Sequence, residues 1–322
     1  MKFLVSCPND VSRGGLYLYD FSDNSFERVF ETECMGVYPF KRGYIVGSRS
    51  IYWKEELGPQ IPHSLIYLDQ DFRVRHEFPL SGFGIGDIHD VVYREGRLWV
   101  VDTWANRIVG FTTNDEIDAL STTSSIASLT APELQWVDPV AKESDASHVN
   151  GLCFLGSRML VSVFGRYATH RGYEARNQAS GCLLEITGHL QPFGTNWPCA
   201  QPIVICQGLA DPHSLVSYKG SFYFIESGAG RIIKDWHTVA RIDEGYARGL
   251  LVQDNLVLVG ISNSRHRTSS KKISECAKIL VLDSTSWTVM KSVKIPASEV
   301  YTFLALPDGL PSIDENTSSS KA

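Results

Sequence analysis

The chain has 322 residues, 43% hydrophobic and 20% charged, with a formal net charge of -6 and an isoelectric point near 5.9. A chain of this size buries roughly three quarters of its unfolded surface, enough for one large globular domain or two ordinary ones. The acidic balance excludes a phosphate-binding surface spread over the whole molecule, because nucleic-acid binding needs a basic excess.

The N-terminal stretch MKFLVSCPND has only three successive apolar residues, Phe3 to Val5. That is too few for the apolar region of a signal peptide, and no apolar run approaches the roughly 18 residues of a membrane span. The chain is therefore read as cytoplasmic, with neither a membrane nor a nucleic acid as partner. Seven cysteines at 7, 34, 153, 182, 199, 206 and 276 form no C-x-x-C pair. Neither a disulfide framework nor a zinc ribbon is expected.

In chain order, GLYLYD, YIVGSRSIYW, SLIYLDQ, RLWVV, RMLVSVF, CLLEI, SFYFIES, LVLVGIS and KILVLD read as strands. They are rich in β-branched and aromatic residues and bounded by Gly, Asp, Asn or Ser. The one helix candidate, residues 115 to 134, carries a Ser/Thr cluster that suits a loop at least as well.

An all-β chain of this length is either several sandwiches or one repeat architecture, and self-similarity decides between them. DIHDVVYREGRLWVVDTWANRI (87 to 108) aligns without a gap on DPHSLVSYKGSFYFIESGAGRI (211 to 232), matching His89 to His213. Weaker copies of strand, tight turn and strand occupy 33 to 50, 148 to 166 and 246 to 262. A sixth copy is split: EVYTFLALPDG (299 to 309) supplies its inner strand and KFLVSCPND (2 to 10) the strand beside it. Six units of about 50 residues predict an all-β fold, a six-bladed β-propeller closed by pairing the two chain ends. A single domain is expected over residues 1 to 311, followed by a polar, disordered tail from 312 to 322.

At the start of each predicted inner strand, two residues separated by one point the same way. These pairs are Glu33 and Met35, Asp87 and His89, His148 and Asn150, Asp211 and His213, Tyr246 and Arg248, and Glu299 and Tyr301. All but Met35 can hydrogen bond or ligate, and the residue between each pair is apolar or small. The pairs are predicted to face the central channel. Carboxylates and imidazoles at one register also suit a divalent metal, with Asp87, His89, His148, Asp211, His213 and Glu299 as its candidate ligands. The second strands end in Ser6, Asp102, Ser162, Glu226 and Ser262, which are expected near the channel mouth. Loops after them carry Arg166, Arg171 and Arg265, a basic rim able to clamp an anion.

PHSLVSYKGSFYFIESGAGRI, GYARGLLVQDNLVLVGIS and SEVYTFLALP resemble a bacterial propeller family known as a domain of unknown function. That resemblance implies the fold. GRLWVVDTWANRI is more distantly similar to NHL and gluconolactonase-like propellers. The acid-x-His at an inner strand is similar to streptogramin B lyase, where a carboxylate holds magnesium and the His acts as base. Only Asp87-x-His89 and Asp211-x-His213 match that arrangement, with Asp in place of Glu. The Glu, Asn and Asp calcium set of gluconolactonase-like enzymes is not reproduced.

The chain contains no G-x-S-x-G elbow, phosphate-binding P-loop, H-E-x-x-H or dinucleotide fingerprint in a βαβ context. The expected function is a metal-assisted lyase, hydrolase or isomerase acting on a small anionic or polyhydroxylated metabolite in the channel. His89, His148 or His213 would remove a proton, and Tyr301 would donate a hydrogen bond. Arg248, Asn150 and Tyr246, with rim residues Arg166, Arg171 and Arg265, would bind the substrate. The alternative is a non-catalytic ligand- or protein-binding module.

Overall fold

A computed structural model describes residues 1–8, 13–48, 63–113, 129, 131–174, 179–195, 199–262 and 276–307. Arg265, the 263 to 275 loop, the 312 to 322 tail and most of the 53 to 64 loop and the 115 to 134 segment lie outside the described residues.

The second strand of each repeat is apolar on both faces, as in RLWVVD (Arg97–Asp102) and LVLVGIS (Leu256–Ser262). A strand of that kind must be covered on both sides, so its sheet can only pack between two others. That is the arrangement found: six antiparallel sheets, stacked face to face around a ring. The inner strands are Cys34–Phe40 in blade 1, Ile88–Arg94 in blade 2 and Val149–Leu155 in blade 3. They continue as Pro212–Tyr218 in blade 4, Tyr246–Gln253 in blade 5 and Thr302–Ala305 in blade 6. Blade 2 gains a fifth strand, Gln191–Pro192, reaching across from blade 3.

The ring closes where the repeats predicted. Thr302–Ala305 pairs antiparallel with Lys2–Cys7, with Phe3 opposite Ala305 and Ser6 opposite Thr302. Each gap between neighbouring blades holds its own apolar layer. Trp99, Val101 and Ile108 of blade 2 meet Leu152, Val161 and Leu184 of blade 3. Phe3 and Tyr19 of blade 6 meet Leu258 and Val281 of blade 5. Each such aliphatic side chain contributes about 1.5–3 kcal/mol by leaving water, so the ring is held by these layers rather than by its centre.

The inner strands of blades 1 to 5 are irregular near their starts. Their registers shift between Cys34 and Val37, Ile88 and Asp90, Val149 and Gly151, His213 and Val216, and Arg248 and Leu250. A bulge puts two residues against one, so consecutive side chains are re-aimed. In blade 2, Asp90 turns to the neighbouring inner strand and accepts from Leu152 N at 3.2 Å. In blade 4, Ser214 Oγ accepts from Gly249 N at 3.0 Å. The equivalent positions in blades 1, 3 and 5 are Gly36, Gly151 and Gly249. At Gly36 a Cβ would stand 2.6 Å from Val91 N, and Gly249 combines φ +69° with a Cβ position 2.9 Å from Tyr301 O. The inner strands thus approach closely because polar and glycine residues alternate around the ring.

Hydroxyl groups tie one blade to the next. Thr103 Oγ1 donates to Val149 O at 2.5 Å, Ser227 Oγ to Ala247 O at 2.5 Å, Ser262 Oγ to Val300 O at 3.0 Å and Ser6 Oγ to Met35 O at 2.5 Å. Ser6 and Ser262, expected near the mouth, are therefore buried interblade ties. Asp102 and Glu226 act similarly on turns. Asp102 accepts from Gly86 N, Ala105 N and Arg107, while Glu226 accepts from Ala210 N and pairs with Arg231 at 2.6 Å. Ser162 is buried, and its Oγ has no hydrogen-bond partner among the described residues.

Candidate functional site in the central channel

The left-handed backbone at Asp87 and Asp211 (φ 53° and 50°) shapes the start of blades 2 and 4. Asp tolerates this region better than most residues. Each turn presents its own carbonyl to the His two residues on. His89 Nδ1 lies 3.1 Å from Asp87 O, and His213 Nδ1 lies 3.0 Å from Asp211 O. A carbonyl only accepts, so Nδ1 carries the proton and Nε2 carries the lone pair. At His213 a second partner agrees. Ser227 Oγ, which gives its own proton to Ala247 O, accepts from Nδ1 at 2.8 Å. Burial, and after it the charge of Arg248, holds His213 neutral, well below the ordinary imidazole range.

The six inner strands bring their polar starts together. The rings of His89 and His148 are 5.0 Å apart, those of His89 and Tyr301 5.8 Å, and those of His213 and Tyr246 5.6 Å. Tyr301 of blade 6 donates to Asn150 Oδ1 of blade 3 at 3.2 Å, a bond between opposite blades that spans the channel. Tyr246 donates to Asp211 Oδ2 at 3.0 Å. Arg248 pairs with Glu299 at 3.0 Å and lies over the Tyr246 ring at 4.9 Å. Each of these residues was expected at the channel, and each stands there. At this level the side chains lining the channel are mostly buried. His213 and Asn150 are each 2% exposed, whereas the side chains of His148 and Arg248 keep 14% and 11%.

Blade 3 departs from the others. The backbone of His148 is itself left-handed (φ 48°), and its Nδ1 meets a buried carboxylate, Asp145 Oδ1, at 2.8 Å. Asp145 Oδ2 accepts from Tyr173 Oη and Arg171 Nε, each at 3.0 Å. Burial pushes the Asp145 pKa up, but His148 and then Arg171 outweigh it and the net shift is downward, so Asp145 stays ionised. Burial and then Asp145 raise the Tyr173 pKa, keeping the phenol protonated. The residue facing His148 across the blade is Phe164, at the position held by Thr103 and Ser227 in blades 2 and 4. Its ring lies 4.3 Å from His148 and 4.9 Å from His213, a wedge between the two imidazoles.

Two features differ from expectation. The predicted rim of open guanidinium groups is not formed by Arg166 and Arg171. Arg166 is tied to buried Asp138 at 3.0 Å and to Gln201, and Arg171 to Asp145 and Glu174. Their positive charge is used inside the fold, where a buried carboxylate needs a partner. The expected metal-ligand set is not assembled either. Among the described residues no three His, Cys, Asp or Glu groups gather as ligands. Asp211 is engaged by Tyr246 and Glu299 by Arg248, whereas the carbonyl bonds at Nδ1 of His89 and His213 leave their Nε2 atoms open.

Asp145, Phe164 and Tyr173 are site residues that the repeat alignment did not single out. The aligned position of Phe164 was itself a signal, since a bulky ring stands where two other copies have a hydroxyl. Nothing in the sequence pattern marks Tyr173, which arrives from a loop.

The fold has many solved counterparts. The chain superposes with a TM-score of 0.55 and 9% identity on a chain of a nidogen/laminin complex, covering 94% of this chain and 97% of that one. A periplasmic gluconolactonase of Pseudomonas aeruginosa gives 0.50 at 11% identity, covering 95% and 99%. A putative 6-phosphogluconolactonase of Bacteroides fragilis gives 0.50 at 9%, covering 94% and 97%. At these identities the likeness is one of fold. No curated protein matches the sequence. Residues 19–311 match the model of a domain of unknown function, DUF4915, and the chain belongs to that family.

Proposed function

We propose that the chain is a hydrolase of a small polyhydroxylated metabolite, with a sugar lactone as the substrate class and His148 as the general base. The observation that carries this reading is the buried Asp145–His148 pair at 2.8 Å, beside a chamber lined by polar groups from several blades. A carboxylate on Nδ1 fixes the tautomer and stabilises the imidazolium that forms when Nε2 takes a proton. In the step proposed, His148 Nε2 removes a proton from water as the water oxygen bonds to the lactone carbonyl carbon. The carbonyl oxygen gains negative charge, which a hydrogen-bond donor of the chamber stabilises. The ring C–O bond then breaks, and the leaving alkoxide takes the proton back from His148. The fold shared with a gluconolactonase supports the choice of a lactone over other esters.

The competing reading is a binding module without chemistry, favoured by the near-complete burial of His213 and Asn150 and by the Tyr301–Asn150 bond across the ring. A hydrolysis screen over aldonolactones decides between them. Turnover by the native chain that His148→Gln removes, with the fold intact by circular dichroism, is expected. Absence of turnover on every lactone rejects the enzyme.

A further inference from the structure

Three polar atoms in the chamber have no hydrogen-bond partner among the described residues: His213 Nε2, Asn150 Nδ2 and Arg248 Nε. They come from blades 4, 3 and 5, so no single strand accounts for them. Groups buried to this degree are ordinarily paired, and three at one level of one channel point to a ligand. Each is held in its orientation by a named contact. His213 Nδ1–H is given to Asp211 O and Ser227 Oγ. Asn150 Oδ1 is taken by Tyr301 Oη, which leaves the amide N–H groups as its open end. Arg248 is fixed by Glu299 and stacked on Tyr246.

Their chemistry is mixed. His213 Nε2, neutral and with its proton on Nδ1, can only accept. Asn150 Nδ2 and Arg248 Nε can only donate. A carboxylate or phosphate offers acceptors alone and leaves His213 unmatched. An anion at Arg248 would also stand beside Glu299, which already matches that guanidinium charge at 3.0 Å. An ammonium offers donors alone and would meet Arg248 itself. A hydroxyl group does both, and neighbouring hydroxyls satisfy all three atoms together.

We propose that the chamber recognises an uncharged polyol face, with one ligand hydroxyl donating to His213 Nε2 and ligand hydroxyl oxygens accepting from Asn150 Nδ2 and Arg248 Nε. This deepens the hydrolase reading by naming what the site holds, and it rests on that reading only for the identity of the site. His148, Asp211 and Arg248 are the lining residues that keep partial exposure.

The test is calorimetric binding to the full chain of matched sugar sets in the gluco, galacto and manno series, each with a neutral hexose, its uronic acid and its amino sugar. The neutral member of at least one set is expected to bind about tenfold tighter than its charged partners, the scale set by one unmatched buried polar group. His213→Leu should remove about tenfold of that affinity, and His213→Gln, which still offers an acceptor oxygen, should retain most of it. A uronic acid or amino sugar binding tightest overturns the proposal, as does the absence of binding by every neutral sugar. Should His213→Leu fail to fold, the ranking on the native chain decides alone. Binding is read without turnover, so the two readings fail separately. Neutral sugars that bind while no lactone is hydrolysed sink the enzyme and leave the polyol site. Turnover accompanied by tighter binding of acids does the reverse.

Discussion

Blades 3 and 4 place a histidine at neighbouring points of the same channel and make two different groups of it. In blade 4, His213 is held by a backbone carbonyl and a serine hydroxyl, and burial with Arg248 nearby keeps it neutral. In blade 3, His148 is held by a buried, ionised carboxylate, and Phe164 stands where blade 4 has Ser227. Neutral partners leave His213 an acceptor that resists protonation, whereas at His148 a carboxylate fixes which ring nitrogen faces the chamber. Role here follows from what touches Nδ1, not from the residue type or its place in the repeat.

The comparison breaks first at Asp145. Asp145→Asn keeps the side-chain shape but removes the charge that stabilises an imidazolium at His148. Turnover should fall about a hundredfold or more, the scale of a lost general base, while KM for the lactone changes little. Steady-state kinetics on the lactone found by screening read this directly. A variant with native turnover would show that His148 needs no carboxylate, and blades 3 and 4 would then be chemically equivalent.

Phe164 is the next point of attack. Phe164→Ser restores the residue type of the equivalent position in blade 4 but empties the wedge between His148 and His213. Loss of a buried ring should cost about 3 kcal/mol by urea denaturation. A cost near zero would mean that the serine had recreated the interblade tie and that the ring fills no essential space. The mirror change is milder. Ser227→Ala deletes the donor to Ala247 O and an acceptor of His213 Nδ1–H, for an expected cost of about 1–2 kcal/mol.

Much of the fold could be read from residues alone, because a propeller repeats its instructions. The gapless match of 87–108 to 211–232 located the blades, and period-two alternation placed Asp87, His89, Asp211 and His213 on one register. Split strands at the two ends predicted the closure between Lys2–Cys7 and Thr302–Ala305. The candidate site was less accessible to the same reasoning. Alternation says which way a side chain faces, but not whether Arg166 finds Asp138 or Arg171 finds Asp145 on the way. Both pairings join segments distant in sequence, and a charge counted as loop surface became a buried counter-ion. The Asp145–His148 pair was missed for a different reason. Its three-residue spacing falls in the turn before the strand, where the left-handed backbone of both residues sets the geometry and periodicity has nothing to say.

A further expected effect concerns protons at His213. In the folded chain burial and Arg248 keep this imidazole neutral, whereas the unfolded chain protonates it as the pH falls through its ordinary value near 6.5. Below that pH the unfolded state binds more protons, so this residue lowers stability as the solution is acidified. Asp90 and Asp102 act in the opposite sense. Burial raises them from 3.8 to about 7 and about 6, so between 3.8 and those values the folded state binds more protons and gains stability as the pH falls. The native chain displays only the sum of these slopes. His213→Gln removes one of them, and the stability of the native chain relative to the variant should decline by up to about 1.4 kcal/mol per pH unit below pH 6.5. Urea denaturation of both proteins at pH 7.5, 6 and 5 measures it. A difference that stays constant across the three pH values would show that His213 takes up its proton in the folded chain as readily as in the unfolded one.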